Sequence, residues 1–412
     1  MEGFERLTVC VFMLKYSMNR RIVDMQKIFK TLAVAGMIAF SSTAVADAPS
    51  KNEWKKKFPS IEYPKDDCLN CTRSHAYWAY NFYRKHSIMD RDHRNNGGLK
   101  SWKFGKGNEV RVINEDIKPL DSKVFDFVYN RDISSLMVME NGVLVHDWKR
   151  DYVKDSVPIA GNSRSKSVLG VAIATAVCRN GLDLNKTHGY YSKQIAGSYY
   201  EEITLLQRLN MMARDKDIIG YKLQSIHRKK IDIITQVNRF KKELEYPSEN
   251  KWHYSNQNTD LVLLALVNHL GGKKKFIKWF NKNVANEAGF ANKSKLLVDK
   301  KGTGMASNNF KFTRDDWMRF GMYVIELMKD PASCEGQLLH NAFDNAVETG
   351  KKFGPKYAMF FWLNGYGVDD LVQMRGHGLR LTLIDWKNNR IIQTNGFAIS
   401  WKPQELVNLL WK

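Results

Sequence analysis

Strand-like segments occur in two groups far apart in the chain, with a long helical stretch between them, so any sheet must be assembled from both ends. Leu136–Glu140 and Val143–His146 flank Asn141-Gly142, the pair that suits a two-residue hairpin turn with positive φ at both central positions. Ser165–Cys178 is apolar and Ala-rich and stops at Asn180-Gly181, a helix C-cap signal. Between residues 200 and 345, Ile203–Met212, Ile231–Leu244, Thr259–Leu270, Phe276–Asn286 and Arg314–Met328 follow a 3.6-residue period. After Gly354 short branched and aromatic segments return: Tyr357–Leu363, Leu379–Asp385 and Arg390–Ile399, separated by turns such as Lys387-Asn388-Asn389. Pro403–Trp411 closes as an amphipathic helix. The expected fold class is α+β: an antiparallel sheet formed from both chain ends and flanked by helices, with a helical subdomain inserted at about 182–345. Residues 121–412 read as one unit. Residues 47–120, basic, aromatic and irregular around Arg94–Gly98, read as an N-terminal extension with no motif.

The first 46 residues read as an export signal. Leu32–Phe40 is apolar, follows Lys27 and Lys30, and precedes Ala44-Val45-Ala46, a small-x-small cleavage pattern. A bilayer-spanning helix needs about 20 apolar residues, so a transmembrane anchor is not expected and cleavage near Ala46 is. The signal is complete from Met25, which makes residues 1–24 an upstream extension. The expected location is periplasmic or secreted. Cys68-x-x-Cys71 in an oxidising compartment suggests a small-loop disulfide, a redox pair or half a metal site; no second Cys pair completes four ligands, so no metal is expected. The chain carries 64 Lys+Arg against 43 Asp+Glu, a net +21. Residues 1–46 hold six Lys/Arg and three Asp/Glu, so about +18 belongs to the body. That charge favours acidic partners: anionic substrates, an anionic envelope surface or nucleic acid. The basic runs Lys55–Lys57, His227–Lys230 and Lys273–Lys275 are dispersed and accompany no nucleic-acid motif, so nucleic acid is not the expected partner.

Three short elements carry chemistry. Ser163-Arg164-Ser165-Lys166 stands where the hairpin region gives way to the Ala-rich helix. Ser and Lys at i and i+3 share a helix face, and a Ser hydroxyl needs an adjacent base to become a nucleophile. A Lys in a dry pocket has a lowered pKa and can be that base. Ser248-Glu249-Asn250-Lys251 has the same spacing, so spacing alone does not choose. Tyr254-Ser255-Asn256 is the second element: a Tyr beside the Lys can relay a proton, and an amide can orient both. Trp252, in the same stretch, is a candidate substrate contact. The third is Arg375-Gly376-His377-Gly378-Leu379-Arg380 ahead of a strand. Its glycines allow close approach of backbone to substrate, so the amides of Ser163 and His377 are candidate oxyanion donors, with Gly376 and Gly378 shaping the site. Arg375 and Arg380 are candidate contacts for an anionic substrate.

In this order the three elements resemble the serine β-lactamase and penicillin-binding-protein superfamily, in particular its class C-like branch of esterases, D-amino-acid amidases and 6-aminohexanoate-oligomer hydrolases. Leu136–Val145 looks like the family's hairpin before the nucleophile, and Ile203–Met212 like its T-x-x-x-L-L-x-M helix, with Arg214-Asp215 replacing the usual Ser-Gly ending. Thr313-Arg314-Asp315-Asp316-Trp317-Met318-Arg319-Phe320-Gly321 resembles the A-R-D-x-x-R-F-G helix, and Phe361-Trp362 the aromatic strand after it. The likeness runs from about Phe125 to the C-terminus. It implies a serine acyl-enzyme, with Ser163 as nucleophile, Lys166 as base, Tyr254 as proton relay and Asn256 orienting Lys166, and it implies no cofactor. Lys301-Gly302-Thr303-Gly304 lies out of order for the family's Lys-Thr-Gly, while Gly376-His377-Gly378 looks like a variant of the Gly-His-Gly-Gly of its esterases and amidases. That departure argues against β-lactamase activity. The expected function is an exported hydrolase of ester or amide bonds in small or oligomeric substrates. The alternative is a penicillin-binding or cell-wall sensor on the same fold with little turnover.

Overall fold

The computed structural model describes residues 52, 100–129, 131, 133–150, 153–213, 231–240, 252–396 and 402–411. In chain order the first elements are β1 (Ser101–Phe104), β2 (Asn114–Glu115), α1 (Ser122–Tyr129), β3 (Ile133–Glu140), β4 (Val143–Lys149) and β5 (Ile159–Ala160). Then come α2 (Ser165–Asn180), α3 (His188–Tyr191), α4 (Leu205–Leu209), α5 (Ile233–Val237), α6 (Asn256–His269) and α7 (Lys273–Phe280). The remainder is β6 (Ser294–Leu297), β7 (Phe310–Phe312), α8 (Arg314–Lys329), α9 (Cys334–Asp344), β8 (Val347–Glu348), β9 (Lys356–Ala358), β10 (Phe361–Leu363), β11 (Val372–Gly376), β12 (Arg380–Asp385), β13 (Arg390–Gly396) and α10 (Pro403–Leu410).

The main sheet has the order β2-β4-β3-β13-β12-β11-β10-β9-β8, so the last long strand pairs with the first and the two chain ends do share one sheet. Asn141 and Gly142 take φ of 50° and 82°, giving the β3–β4 turn its left-handed pair. Strand β3 is buried on both faces: Met137 and Met139 join one core cluster, Leu136 and Val138 the other. Val124 and Phe127 of α1 and Leu406 and Val407 of α10 cover one face. Helices α2 and α8 cover the other, where Gly321 of α8 comes so close to Thr382 and Ile391 that an added Cβ would sit 3.1 Å from each. A helix–sheet–helix sandwich explains why β3 reads as a continuous apolar run rather than an alternating one.

Several expectations are corrected. Tyr357–Leu363 is not one strand but the hairpin β9–β10, reversed at Met359 and Phe360 with φ of 47° and 64°. The reversal is fixed from outside: Phe360 N donates to Leu209 O at 3.1 Å, and Ser167 Oγ donates to Phe360 O at 2.8 Å. The Ile203–Met212 helix shrinks to α4, started by a Thr204–Gln207 capping box. The helix expected from Phe276 begins at Lys273, and Asn281–Ala285 continues it as a π-helical turn. The mainly helical 200–345 stretch also contributes two short strands: β6 and β7 join β1 and β5 in a second sheet of order β1-β6-β7-β5. Strand β1, from within the 47–120 stretch, buries Trp102 and Phe104 in the main core. Residues 1–46, Cys68 and Cys71, and Ser248–Lys251 lie outside the described residues. Among those described, no helix is long and apolar enough to cross a membrane.

A disulfide that the sequence did not announce joins Cys178, in the last turn of α2, to Cys334 at the start of α9, 156 positions away. Closing so long a loop restricts the unfolded chain, which is worth on the order of 3–5 kcal/mol. Cys178→Ser, or a reductant, should therefore lower the thermal midpoint by several degrees; equal midpoints with and without reductant would show that the bond contributes nothing.

Candidate active site

The nucleophile candidate sits in a strained turn. Strand β5 ends at Ala160, and a 3₁₀ turn over Asn162–Arg164 leads straight into α2. Asn162 has φ of 50°, a region that few non-glycine residues occupy and that Asn tolerates best. Its amide Nδ2 donates to the His377 carbonyl at 2.7 Å, tying the turn to the third sequence element. Ser163 is half-buried while its neighbours Asn162, Arg164, Ser165 and Lys166 are buried. Ser165 Oγ accepts from Phe310 N at 3.1 Å, anchoring the first turn of α2 to β7.

Lys166 lies one turn beyond Ser163 and only 1% exposed. Its Nζ donates to Ser163 Oγ at 3.1 Å, to Asn256 Oδ1 at 2.7 Å and to the Ser307 carbonyl at 2.6 Å. All three acceptors are neutral. Burial therefore dominates and pulls the ammonium down to about 7, with the Asp260 carboxylate pushing the other way. Asn256 is the first residue of α6. Tyr254, two residues earlier, holds its ring 4.9 Å from Lys166 Nζ. Burial pushes the Tyr254 hydroxyl up to about 12, against a hydrogen bond with Ser163 and the Arg375 cation, which lower it. The structure thus brings Ser163, Lys166, Tyr254 and Asn256 together around one point.

The third element is placed differently from its expectation. Arg375 and Gly376 belong to strand β11, and His377–Leu379 form the turn to β12, with Gly378 and Leu379 at φ of 78° and 54°. Gly376 is where β11 meets the nucleophile turn: a Cβ there would lie 2.2 Å from Gly161 O and 3.2 Å from Arg164 N. Arg375 stacks its guanidinium 4.2 Å over the Phe353 ring and donates to the Tyr366 hydroxyl and to Gln373 Oε1. Arg380, expected at the substrate, is only 3% exposed and donates to the Ala160 carbonyl, so it braces the approach to the Ser163 turn and is not a surface contact. Trp252 packs with Tyr254, Tyr357 and Trp362 at centroid distances of 6.0, 5.7 and 5.4 Å, and Trp362 stacks on Tyr254 at 5.4 Å. Trp252 is thus part of an aromatic wall that fixes the Tyr254 ring. Ser307 was missed by sequence reasoning, since a backbone carbonyl leaves no residue-type signal.

No protein-family model and no curated protein matches the chain. Solved structures do. A Bacillus anthracis protein assigned as a 6-aminohexanoate-dimer hydrolase superposes with a TM-score of 0.63 at 15% identity, over 88% of this chain and 96% of that one. A class C β-lactamase matches at 0.53 and 13%, over 70% and 93%. The penicillin-binding protein of Bacillus halodurans matches at 0.52 and 13%, over 70% and 99%. At these identities the likeness establishes the fold: the chain has the β-lactamase and penicillin-binding-protein fold that its motifs resemble.

The Gly376 approach predicts a sharp cost. Gly376→Ala must move β11 away from the Ser163 turn, and overpacking of this kind costs about 1–3 kcal/mol. Thermal denaturation should show the loss; a variant as stable as the parent would mean that the two segments part without cost.

Proposed function

We propose that the protein is a serine hydrolase that cleaves an ester or amide bond through an acyl-enzyme on Ser163. The observation that carries this reading is a Lys ammonium held near 7 with its Nζ 3.1 Å from a half-buried Ser hydroxyl. Neutral Lys166 takes the Ser163 proton as Oγ bonds to the substrate carbonyl carbon. The resulting oxyanion faces the backbone amides of Ser163 and His377. Tyr254, pushed up to about 12, stays protonated at neutral pH and serves as a relay: it passes a proton to the departing alkoxide or amine and is refilled from Lys166. Water, deprotonated by the same pair, then releases the acid and restores Ser163. No cofactor enters the scheme.

The aromatic wall of Trp252, Tyr254 and Trp362 favours an acyl or leaving group with apolar surface, and Arg375 beside it favours one carrying a carboxylate. The Cys178–Cys334 bond supports an exported enzyme, because cytosolic thiols are kept reduced. The body charge of about +18 suits work at an anionic envelope surface.

Intact-mass analysis after treatment with a fluorophosphonate should give one adduct, absent from Ser163→Ala; an adduct that persists in that variant removes Ser163 from the mechanism. Turnover of p-nitrophenyl esters should vanish in the same variant. A stable penicillin adduct without ester or amide turnover would reassign the site to a penicillin-binding sensor.

The pH dependence has a definite sign. The base is the neutral amine, whose fraction grows as pH rises through 7, so kcat/KM should climb about tenfold per unit below 7 and level off above it. Tyr254 titrates too high to cut the plateau before about 12. A rate that falls between pH 6 and 8 would be incompatible with Lys166 as base.

A further inference from the structure

The Ser307 carbonyl that takes Lys166 Nζ at 2.6 Å is itself held from below. Asp260, 0% exposed, accepts from Ser307 N at 2.8 Å and from Ser307 Oγ at 3.2 Å. Two hydrogen bonds to one carboxylate fix the Ser307 residue at both its amide and its side chain. Asp260 lies in α6 one turn after Asn256, which accepts from Lys166 directly at 2.7 Å. Residues four apart share a helix face. One face of α6 therefore grips the lysine twice, once through Asn256 and once through Asp260 and the Ser307 peptide.

We propose that Asp260 is a positioning residue for the Lys166 base: it clamps Ser307 so that its carbonyl fixes the direction of Nζ, and it sets a carboxylate charge behind that contact. This inference rests on the serine hydrolase reading for its kinetic consequence, but the clamp itself is a statement about Lys166. The groups around that ammonium are Ser163 from the nucleophile turn, the Tyr254 ring at 4.9 Å from the preceding loop, and Asn256 and Asp260 from α6. Arg375 of β11 acts on Tyr254. His377 lies in the turn after β11, its carbonyl bound to Asn162. The Arg164 guanidinium is directed elsewhere, to Thr382, Asn395 and the Trp317 ring. Asp260 is the one carboxylate among these groups. A carboxylate that reaches Nζ through the Ser307 peptide can thus tune the base.

The test uses Asp260→Asn and Ser307→Ala in the full chain. Lys166 is titrated directly by NMR of lysine labelled with ¹³C at Cε, its signal assigned by loss in Lys166→Met. The rate of fluorophosphonate labelling at Ser163 is followed across pH 5–9. Removing the negative charge should move the Lys166 midpoint, and with it the rising limb of labelling, to lower pH by about 1 unit. The plateau rate should also drop, by about 10-fold or more, as the amine loses its direction. Ser307→Ala keeps the charge and the backbone bond, so it should lower the plateau several-fold with the midpoint in place. A Lys166 midpoint unmoved in Asp260→Asn overturns the proposal. If Asp260→Asn does not fold, Ser307→Ala decides, and an unchanged plateau rejects the clamp. Should the parent protein fail to label at Ser163, the hydrolase reading falls, while the NMR midpoint still decides the role of Asp260.

Discussion

A buried lysine whose direct partners are all neutral is the interaction on which the site depends. Taking an ammonium out of water costs several kcal/mol unless charge or hydrogen bonds compensate. Here the compensation is three oxygens, none of them a carboxylate, supplied by the Ser163 turn, the start of α6 and the loop at Ser307. Such a set satisfies the hydrogens but supplies no counter-charge, so burial pulls the group down to about 7, with the Asp260 carboxylate opposing it. The three segments are far apart in sequence and meet only in the folded chain, so the environment of Lys166 is a property of the whole fold.

The sheet serves that meeting through close backbone approaches. Gly376 brings β11 against Gly161 and Arg164, Gly161 itself lies against the Trp317 ring, and Gly170 brings α2 against the carbonyl of Met359 in the β9–β10 turn. At each contact a Cβ would fall closer than 3 Å to an atom on the other side. With α2 pinned at both the Ser163 turn and its second helical turn, Ser163 and Lys166 have little freedom to separate. The Cys178–Cys334 bond fixes the far end of the same helix to α9.

Much of this was legible in the sequence wherever a local rule operates. The Asn141-Gly142 turn, the α2 stop at Gly181 and the i, i+3 spacing of Ser163 and Lys166 follow from backbone conformation or helix geometry. What escaped was set by tertiary context. Strands β5, β6 and β7 are two to four residues long, too short to show a period, and exist because they pair with one another and with β1. Met359 and Phe360 reverse the chain with side chains that give no turn signal, held by Leu209 and Ser167. Arg380 reads as a contact for an anionic substrate in the sequence, yet the fold buries it. The Ser307 carbonyl is invisible in any pattern of side chains, although it makes the shortest of the three contacts to Lys166.

Buried arginine gives the basic composition a second meaning. Arg164, the residue after the proposed nucleophile, is fully buried, and its contacts are the Leu381 carbonyl, the Thr382 hydroxyl, the Asn395 amide and the face of Trp317 at 3.8 Å. None of these cancels its charge. Burial, and then the Arg380 cation, lower its proton affinity, the signature of two guanidiniums sharing a poorly screened region. Both lie just behind the Ser163 turn, one following it in sequence and the other bonded to Ala160 before it. In the proposed reaction negative charge develops at the substrate carbonyl on the open side of that turn. The Arg164 guanidinium behind the turn favours that charge. Arg164 and Arg380 are therefore a part of the basic composition that is buried beside the site and meets nothing at the surface.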